Sequence, residues 1–516
     1  MATSQSLPQA RTRTFGVELE FIVVWIWDDE PDPHESRASG LPPILKIPKE
    51  TREGYIQKGH NLFQAEVEGG HQVQEYIRDV LRNNGVPAQL ANNRTSAAFS
   101  VWEAKRDPSI DHRERIKWTG IELTSPVERA LPIAFSAINY ALNLIKSTYR
   151  VMVNDSCGFH VHVGDGKEPM PLEHVKRVAS LFWAADPVIA ILHPPRRRIG
   201  KYSQSIRERT PLSRGKKMTD IDSSLNHKES RCSRYFARGI RCGESPISWR
   251  ITYRQERMMD AFEATRNPDH FQPFFPMNSG SHEREDLQNL ETEEAPELDE
   301  FGVKIHIEKA RKAIANAEDK RLSEPRSPMP KRLTPRFAIP KPLDDPPHSK
   351  YSFMRLGERA KIDIGVFAGV REIFAANSSC VIAGLLDVGE RPNYNIFQYK
   401  CWEFAARGRT PKTIEFREAE GTTSGPWAEM WSKICVGLTD FAIHAPVDRF
   451  ISILYSLEQA ISYKAPYDVV DLLQEVGLFA EAIFAEKRLL SYKDIWGLEY
   501  NYNIDDTPQE PLSKKT

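Results

Sequence analysis

Three short stretches carry pairs of ligating or charged side chains two residues apart. Ser156-Cys157-Gly158-Phe159-His160-Val161-His162-Val163-Gly164 alternates histidine with valine between glycines. Gly16-Val17-Glu18-Leu19-Glu20-Phe21 carries two glutamates, and Lys412-Thr413-Ile414-Glu415-Phe416-Arg417 carries a glutamate and an arginine. Alternation with apolar neighbours predicts strands, and a period of two turns each pair to one face. Three such strands could line one polar cavity over a sheet. Hard cations such as Mg²⁺ take oxygen ligands, and carboxylates crowded into one cavity repel unless cations neutralise them. An arginine beside one of them suits an oxygen of a phosphate or acyl phosphate. Together these are parts for activating a carboxylate with a nucleoside triphosphate.

Each pair also has an ordinary reading. Glu18 and Glu20 could solvate an edge strand, and Glu415/Arg417 alone is a common surface cross-strand pair. Paired histidines on one face are uncommon in a plain core. Cys157, three residues before His160, points to the opposite face of a strand and does not read as a nucleophile. The runs Arg196-Arg197-Arg198 and Arg214–Lys217 read as solvated loop charge rather than a phosphate or nucleic-acid site. The joint appearance of the three strand-borne pairs is what favours a site.

The elements that must position them follow from periodicity. Strands are expected at Phe15–Val24, Phe99–Ala104, Thr119–Thr124, Val151–Val163 (one long strand or a pair), Asp363–Phe374, Tyr394–Ala405 and Thr413–Arg417. Helices are expected at His71–Asn83, over residues 130–148, and at Pro171–Ile191, Trp427–Ala442, Ile451–Ala460 and Asp468–Ala485. Asp28–Lys49 reads as a loop or insertion. The expected organisation is a tail over 1–13, the first part of a catalytic domain over 14–266, and a disordered Pro- and charge-rich insertion over 267–350. The second part of the domain, with C-terminal helices, covers 351–500, and a tail covers 501–516.

The 516 residues carry a net charge of −1, so no global field draws the chain to nucleic acid or an anionic membrane. Six cysteines without a C-x-x-C pair do not make a disulfide framework and fit a reducing compartment. Met1–Thr14 has no apolar signal-peptide core, and Phe21–Trp27 is much shorter than the roughly 18 residues of a membrane span. The expectation is a soluble cytoplasmic protein with no nucleic-acid or membrane partner.

Gly16-Val17-Glu18-Leu19-Glu20-Phe21, Glu122-Leu123-Thr124-Ser125-Pro126, Cys157-Gly158-Phe159-His160-Val161-His162-Val163 and Thr413-Ile414-Glu415-Phe416-Arg417…Gly421-Thr422 resemble the amidoligase family. These carboxylate–amine ligases are related to glutamine synthetase and glutamate–cysteine ligase. The resemblance spans roughly 14–200 and 351–440, and four motifs in family order are more specific than any one. It implies an α+β fold like the glutamine synthetase catalytic core: a curved, mainly antiparallel sheet with helices packed on one side. It implies ATP and Mg²⁺ (or Mn²⁺), with carboxylate and amine substrates joined through an acyl phosphate.

By the same resemblance, Glu18, Glu20, His160 and Glu415 would hold the metal, His162 would lie near the nucleotide, and Arg417 near the transferred phosphate. Glu122 would be a metal or amine-side residue. Arg196, Arg198 and Tyr202 are candidates for a family Arg and Tyr, and Asn395 for a family Asn. Two alternatives stand beside this reading. A zinc-dependent amide hydrolase also uses His-x-His and glutamates, although glutamate-rich ligation favours magnesium. A catalytically inactive amidoligase-like scaffold would lose a ligand, yet every motif residue is present.

Overall fold

A single strand, β1 (Thr14–Trp27), carries the sheet. In the computed structural model the described residues are 13–226 apart from 34, 36–39, 98, 112–115, 167–168 and 200–201; then 332–339, 358–400 apart from 389–390, and 412–501. The strands after β1 are β2 (Leu45–Ile47), β3 (Ala88–Leu90), β4 (Trp102–Arg106), β5 (Trp118–Thr124) and β6 (Glu128–Arg129). They continue with β7 (Val151–Met152), β8 (Gly158–Gly164), β9 (Tyr394–Asn395) and β10 (Ile414–Glu420). Among the described residues the sheet runs β3-β4-β5-β1-β8-β10-β9, with β2, β6 and β7 also paired to β1. Only β1/β2 and β3/β4 are parallel; the other pairs are antiparallel. The fold is mixed α+β with a largely antiparallel open sheet, as the sequence leads one to expect at that level.

The chain divides into two compact units. The first comprises Met1–Pro169, Asn393–Asn395 and Pro411–Val436; the second comprises Met170–Pro392, Ile396–Thr410 and Gly437–Thr516. The whole sheet belongs to the first unit, so the Glu-x-Glu, His-x-His and Glu-x-Arg strands share one body.

Within that unit the odd-numbered face of β1 is continuous hydrocarbon. Val17, Leu19 and Phe21 join Ile121, Leu123, Phe159, Val161, Val163 and Phe416, all buried. Each large side chain removed from water contributes about 1.5–3 kcal/mol. Helices α1 (Lys49–Gln57), α2 (Leu62–Asn83) and α3 (Pro132–Thr148) follow in the same unit. Phe135 of α3 stacks on Phe15 at 4.4 Å between centroids. A Cβ at Gly69 of α2 would come within 2.7 Å of Trp25 and 2.8 Å of Trp27, so a bare backbone lets this helix press onto β1. The even-numbered face changes character along its length. Glu18 and Glu20 are followed by Ile22, capped by Ile110 and Cys157, and then by Val24 and Ile26, capped by Ile44. Loops thus seal half of this face, and the polar half remains around the two glutamates.

Several elements differ from expectation. α2 starts at Leu62 rather than His71, because Asn61 and Gln64 form a capping box. The Asp28–Lys49 loop contains β2, whereas the Val151–Val163 stretch takes the paired form of the two expected, with both strands registered on β1. Asp363–Phe374 is not a strand: Val366–Ala375 is a helix with Val366, Gly369, Val370 and Ile373 buried at helical spacing. In Tyr394–Ala405 only Tyr394–Asn395 is strand and Phe397–Lys400 is helical; the rest lies outside the described residues. The expected Asp468–Ala485 helix is two, Val469–Glu475 and Phe479–Trp496, separated at Gly477 with φ +90°.

The second unit also contains α4 (Leu172–Ile189) and the basic stretch after it. That stretch is not uniformly solvated, since Arg197, Arg207 and Arg209 are buried. Arg207 donates twice to Asp363 at 2.7 Å and lies over the Trp183 ring. Two expected boundaries need correcting. Arg13, placed in the tail, is buried and 3.2 Å from Asp165. Within the expected insertion, residues 332–339 pack against the C-terminal helices, with Phe337 fully buried. Residues 1–12, 267–331, 340–350 and 502–516 of the expected tails and insertion lie outside the described residues. No described helix is long and apolar enough to cross a membrane.

Candidate functional site

Register assembles the site. On β1, Glu18 stands opposite His160 of β8 and Thr124 of β5, and Glu20 stands opposite Glu122 of β5. Glu415 of β10 pairs with His162 on one side and Asn395 on the other, and Glu122 pairs with Lys105 of β4. Directly paired residues share a face, so these side chains gather on the even-numbered side of the sheet. β10 carries a bulge between Phe416 and Ala419, the kind of irregularity that re-aims a side chain. The Arg417 amide leaves the β8 ladder to donate to the Asn393 carbonyl, and its guanidinium pairs with the Glu415 carboxylate.

The centre is a histidine–carboxylate network. His160 Nδ1 is 3.0 Å from Glu18 Oε2 and 3.6 Å from Glu415 Oε1, and its Nε2 is 3.8 Å from Glu20 Oε1. His162 Nε2 is 3.3 Å from Glu18 Oε1 and 4.0 Å from Glu415 Oε1, while Nδ1 lies 3.1 Å from the Thr413 hydroxyl. Glu20 accepts the Gly158 amide at 2.6 Å, and Glu415 accepts the Asn395 amide at 2.7 Å. Close approach at this end needs Gly421, whose amide donates to the Cys157 carbonyl; a Cβ there would sit 2.4 Å from that of Cys157. In Glu122-x-x-Ser125-Pro126, the Ser125 hydroxyl accepts the Val17 amide at 2.9 Å and so anchors β1.

Two groups of ligating atoms result. Glu18, His162 and Glu415 bring one atom each within 4.8 Å of one another, and so do Glu20, Asp107 and Glu122. The imidazole in the first group is that of His162, which the motif resemblance assigns to the nucleotide, whereas His160 is hydrogen-bonded between the glutamates. The second group includes Asp107, which the sequence reading missed. Lys105, 2.8 Å from Glu122 Oε1, was missed as well. The signal was there: Glu103, Lys105 and Asp107 alternate just beyond the expected end of the strand at Ala104. Glu103 itself is bound by Arg94 and Gln89 and takes no part in either group.

Electrostatics divide the acids. Burial opposes ionisation of Glu18, but the charge of His162 and the hydrogen bond and charge of His160 outweigh it and hold the carboxyl well below the usual range. Glu415 is likewise lowered despite burial, by Arg417 and both histidines. Glu122 goes the other way, pushed up to about 7 by burial and the Glu18 charge, against the pull of Lys105. Burial acts to lower His162, yet the Glu18 and Glu415 carboxylates raise it to about 9.

Arg196, exposed, and Arg198, whose side chain is outside the described residues, belong to the second unit, on the helix Pro195–Ile199. Tyr202 is in that unit too, with Arg391 over its ring. The sheet of the first unit does not include them.

Residues 11–231 match a family model described as a putative amidoligase enzyme. That match supports the resemblance carried by the Glu-x-Glu, Glu-x-x-Ser-Pro and His-x-His motifs and indicates a ligase in general; Glu415 and Arg417 lie beyond the matched residues. Comparison with curated proteins and with solved structures gives no match.

Proposed function

We propose that this chain is an ATP-dependent carboxylate–amine ligase that uses Mg²⁺ or Mn²⁺ and works through an acyl phosphate. The observation that carries the reading is the pair of ligand groups built out from β1, Glu18/His162/Glu415 and Glu20/Asp107/Glu122, with Arg417 paired to Glu415 of the first. The donor set fits divalent cations. Five of its six members are carboxylates, as hard cations prefer, and His162 Nε2 is buried without a hydrogen-bond partner while facing two of those carboxylates. When bound, such ions would neutralise charge on the phosphates and on the developing transition state.

The chain's own residues would do the rest. Arg417, paired with Glu415, would hold oxygens of the transferred phosphoryl group. A carboxylate oxygen of the acid substrate attacks the γ-phosphorus, and the bond to the β–γ bridging oxygen breaks to release ADP. The amine nitrogen then attacks the acyl carbon and phosphate departs. The proton that the amine loses passes to the departing phosphate, while Glu122 would help Glu20 and Asp107 hold the second ion. Asn395 holds Glu415, and the Gly158 amide holds Glu20, so both carboxylates are preorganised. A role for Arg196 and Arg198 rests on the motif resemblance alone.

The test is to incubate the protein with Mg²⁺, ATP and pools of acids and amines, following nucleotide, phosphate and condensed products by mass spectrometry. ADP and phosphate with an amide product are expected. AMP and pyrophosphate would replace the acyl-phosphate scheme with adenylation. Tight zinc with amide cleavage and no response to ATP would favour a hydrolase.

A further inference from the structure

The second unit contains a short segment, 332–339, held at its start by acids and further on by backbone bonds from Ala338 to the Glu499 carbonyl and from Asn501 to the Arg336 carbonyl. Arg332 donates to both oxygens of Asp468 at 2.9 and 2.8 Å and lies 3.1 Å from Asp471; Arg336 donates to Asp471 at 2.9 Å. One oxygen of Glu486 accepts three donors at 2.8 Å: the Leu333 amide, the Thr334 amide and the Thr334 hydroxyl. The Phe337 amide donates to Asp468, its ring is fully buried, and Phe337 bridges to Tyr500. The segment is nonetheless at the surface. Leu333 is 69 % exposed, Pro335 is exposed and Thr334 is half-buried.

We propose that Thr334 is a phosphorylation site whose modification releases residues 332–339 from the C-terminal helices. Its sequence setting, Arg332-Leu333-Thr334-Pro335-Arg336, offers a threonine followed by proline and flanked by basic residues, which suits a proline-directed protein kinase. In the transfer, the γ-phosphoryl of a nucleoside triphosphate forms a bond to Thr334 Oγ1 and its bond to the β–γ bridging oxygen breaks. The hydroxyl proton goes to the kinase base, and the nucleoside diphosphate leaves.

Charge decides the consequence. Asp468, Asp471 and Glu486 face Arg332 and Arg336, three negative charges against two positive, a local balance of −1. Asp468 is fully buried and Glu486 is 3 % exposed, so neither is well screened by water. A phosphate adds a charge of about −1.5 to −2 at the one oxygen already hydrogen-bonded to Glu486 and removes that donor. The two terminal nitrogens of Arg332 are engaged by Asp468 and Asp471, which leaves only its Nε, 3.9 Å from Glu486, on the side of the phosphate. The added charge therefore meets repulsion where the hydroxyl made a bond, and the backbone bonds to Glu486 go with it.

The full-length protein is incubated with a purified proline-directed serine/threonine kinase, Mg²⁺ and ATP, and phosphate is mapped by peptide mass spectrometry. Hydrogen exchange of the Leu333, Thr334 and Phe337 amides is then compared. Phosphate on Thr334, with exchange faster by about tenfold or more, is expected, since losing a charge-assisted bond has that order of effect. T334E, which needs no kinase, should move exchange in the same direction. T334A should stay near wild type, because both backbone bonds to Glu486 remain. Phosphorylated E486Q should recover protection. Unchanged exchange in the phosphorylated protein or in T334E would overturn the proposal. So would an unmodified Thr334 under conditions that fully modify a control Thr-Pro peptide.

Discussion

His162 reaches diagonally across the sheet to Glu18, with Nε2 3.3 Å from Oε1, although its direct register partner on β1 is Gly16. The imidazole thus leans one step along β1 toward the Glu18 carboxylate. In this way one of two histidines on the same strand joins a metal-type group while the other, His160, is caught between carboxylates. The same lean puts the imidazole between two acids, whose charges raise its pKa in the metal-free protein.

Glu18→Gln should therefore lower ligase turnover by about 10²–10³ while leaving the fold intact, because it removes one preorganised charge from the group. Phosphate release under saturating ATP and Mg²⁺, alongside circular dichroism, tests this. Turnover near wild type would take Glu18 out of the site.

Metal stoichiometry separates the two groups. Calorimetric titration with Mn²⁺ should give two ions per wild-type chain, one for each group, and one ion for Asp107→Asn or Glu122→Gln. An unchanged count in both variants would exclude the second group as a metal centre.

The pH dependence of the metal-free protein has a defined sign. The folded pKa of His162, about 9, is above its ordinary 6.5. Its contribution to stability is thus fully present below pH 6.5 and lost as pH rises through 9. Glu122, raised from 4.5 to about 7, contributes below 4.5 and loses that contribution as pH rises through 7. In EDTA, the urea-unfolding difference between wild type and His162→Gln should shrink from pH 6 to pH 9.5. The difference between wild type and Glu122→Gln should move against wild type between pH 4.5 and 7.5. Flat differences would contradict both shifts.

Gly69→Ala should destabilise the first unit by about 1–3 kcal/mol, as the new methyl meets the buried Trp25 and Trp27 rings inside contact distance. The midpoint of urea unfolding, followed by tryptophan fluorescence, measures it.

Arg332→Ala should cost about 3–5 kcal/mol, since it strands the fully buried Asp468 carboxylate without its guanidinium. Thermal unfolding of the variant beside Arg332→Lys separates loss of charge from loss of the two-pronged hydrogen bond.

What the sequence determined by itself is the period-two chemistry. Glu18/Glu20, His160/His162 and Glu415/Arg417 are local alternations, and alternation depends only on the backbone of a strand, so their faces could be read before any partner was known. Strand pairing was another matter. That β5 and β8 lie beside β1, and in what register, is set by contacts roughly a hundred residues or more apart, and no local pattern encodes them. Asp107 joins the site only because β4 pairs with β5 so that Lys105 meets Glu122. The helix at Val366–Ala375 was misread because its valines and isoleucine carry β propensity, and only burial of one helical stripe decides between the periods. The choice of His162 over His160 was likewise tertiary. Both lie on one face of one strand, and what separates them is which neighbours the paired strands bring: His160 sits between Glu18 and Glu415, while His162 is held by Thr413 and turned toward Glu18.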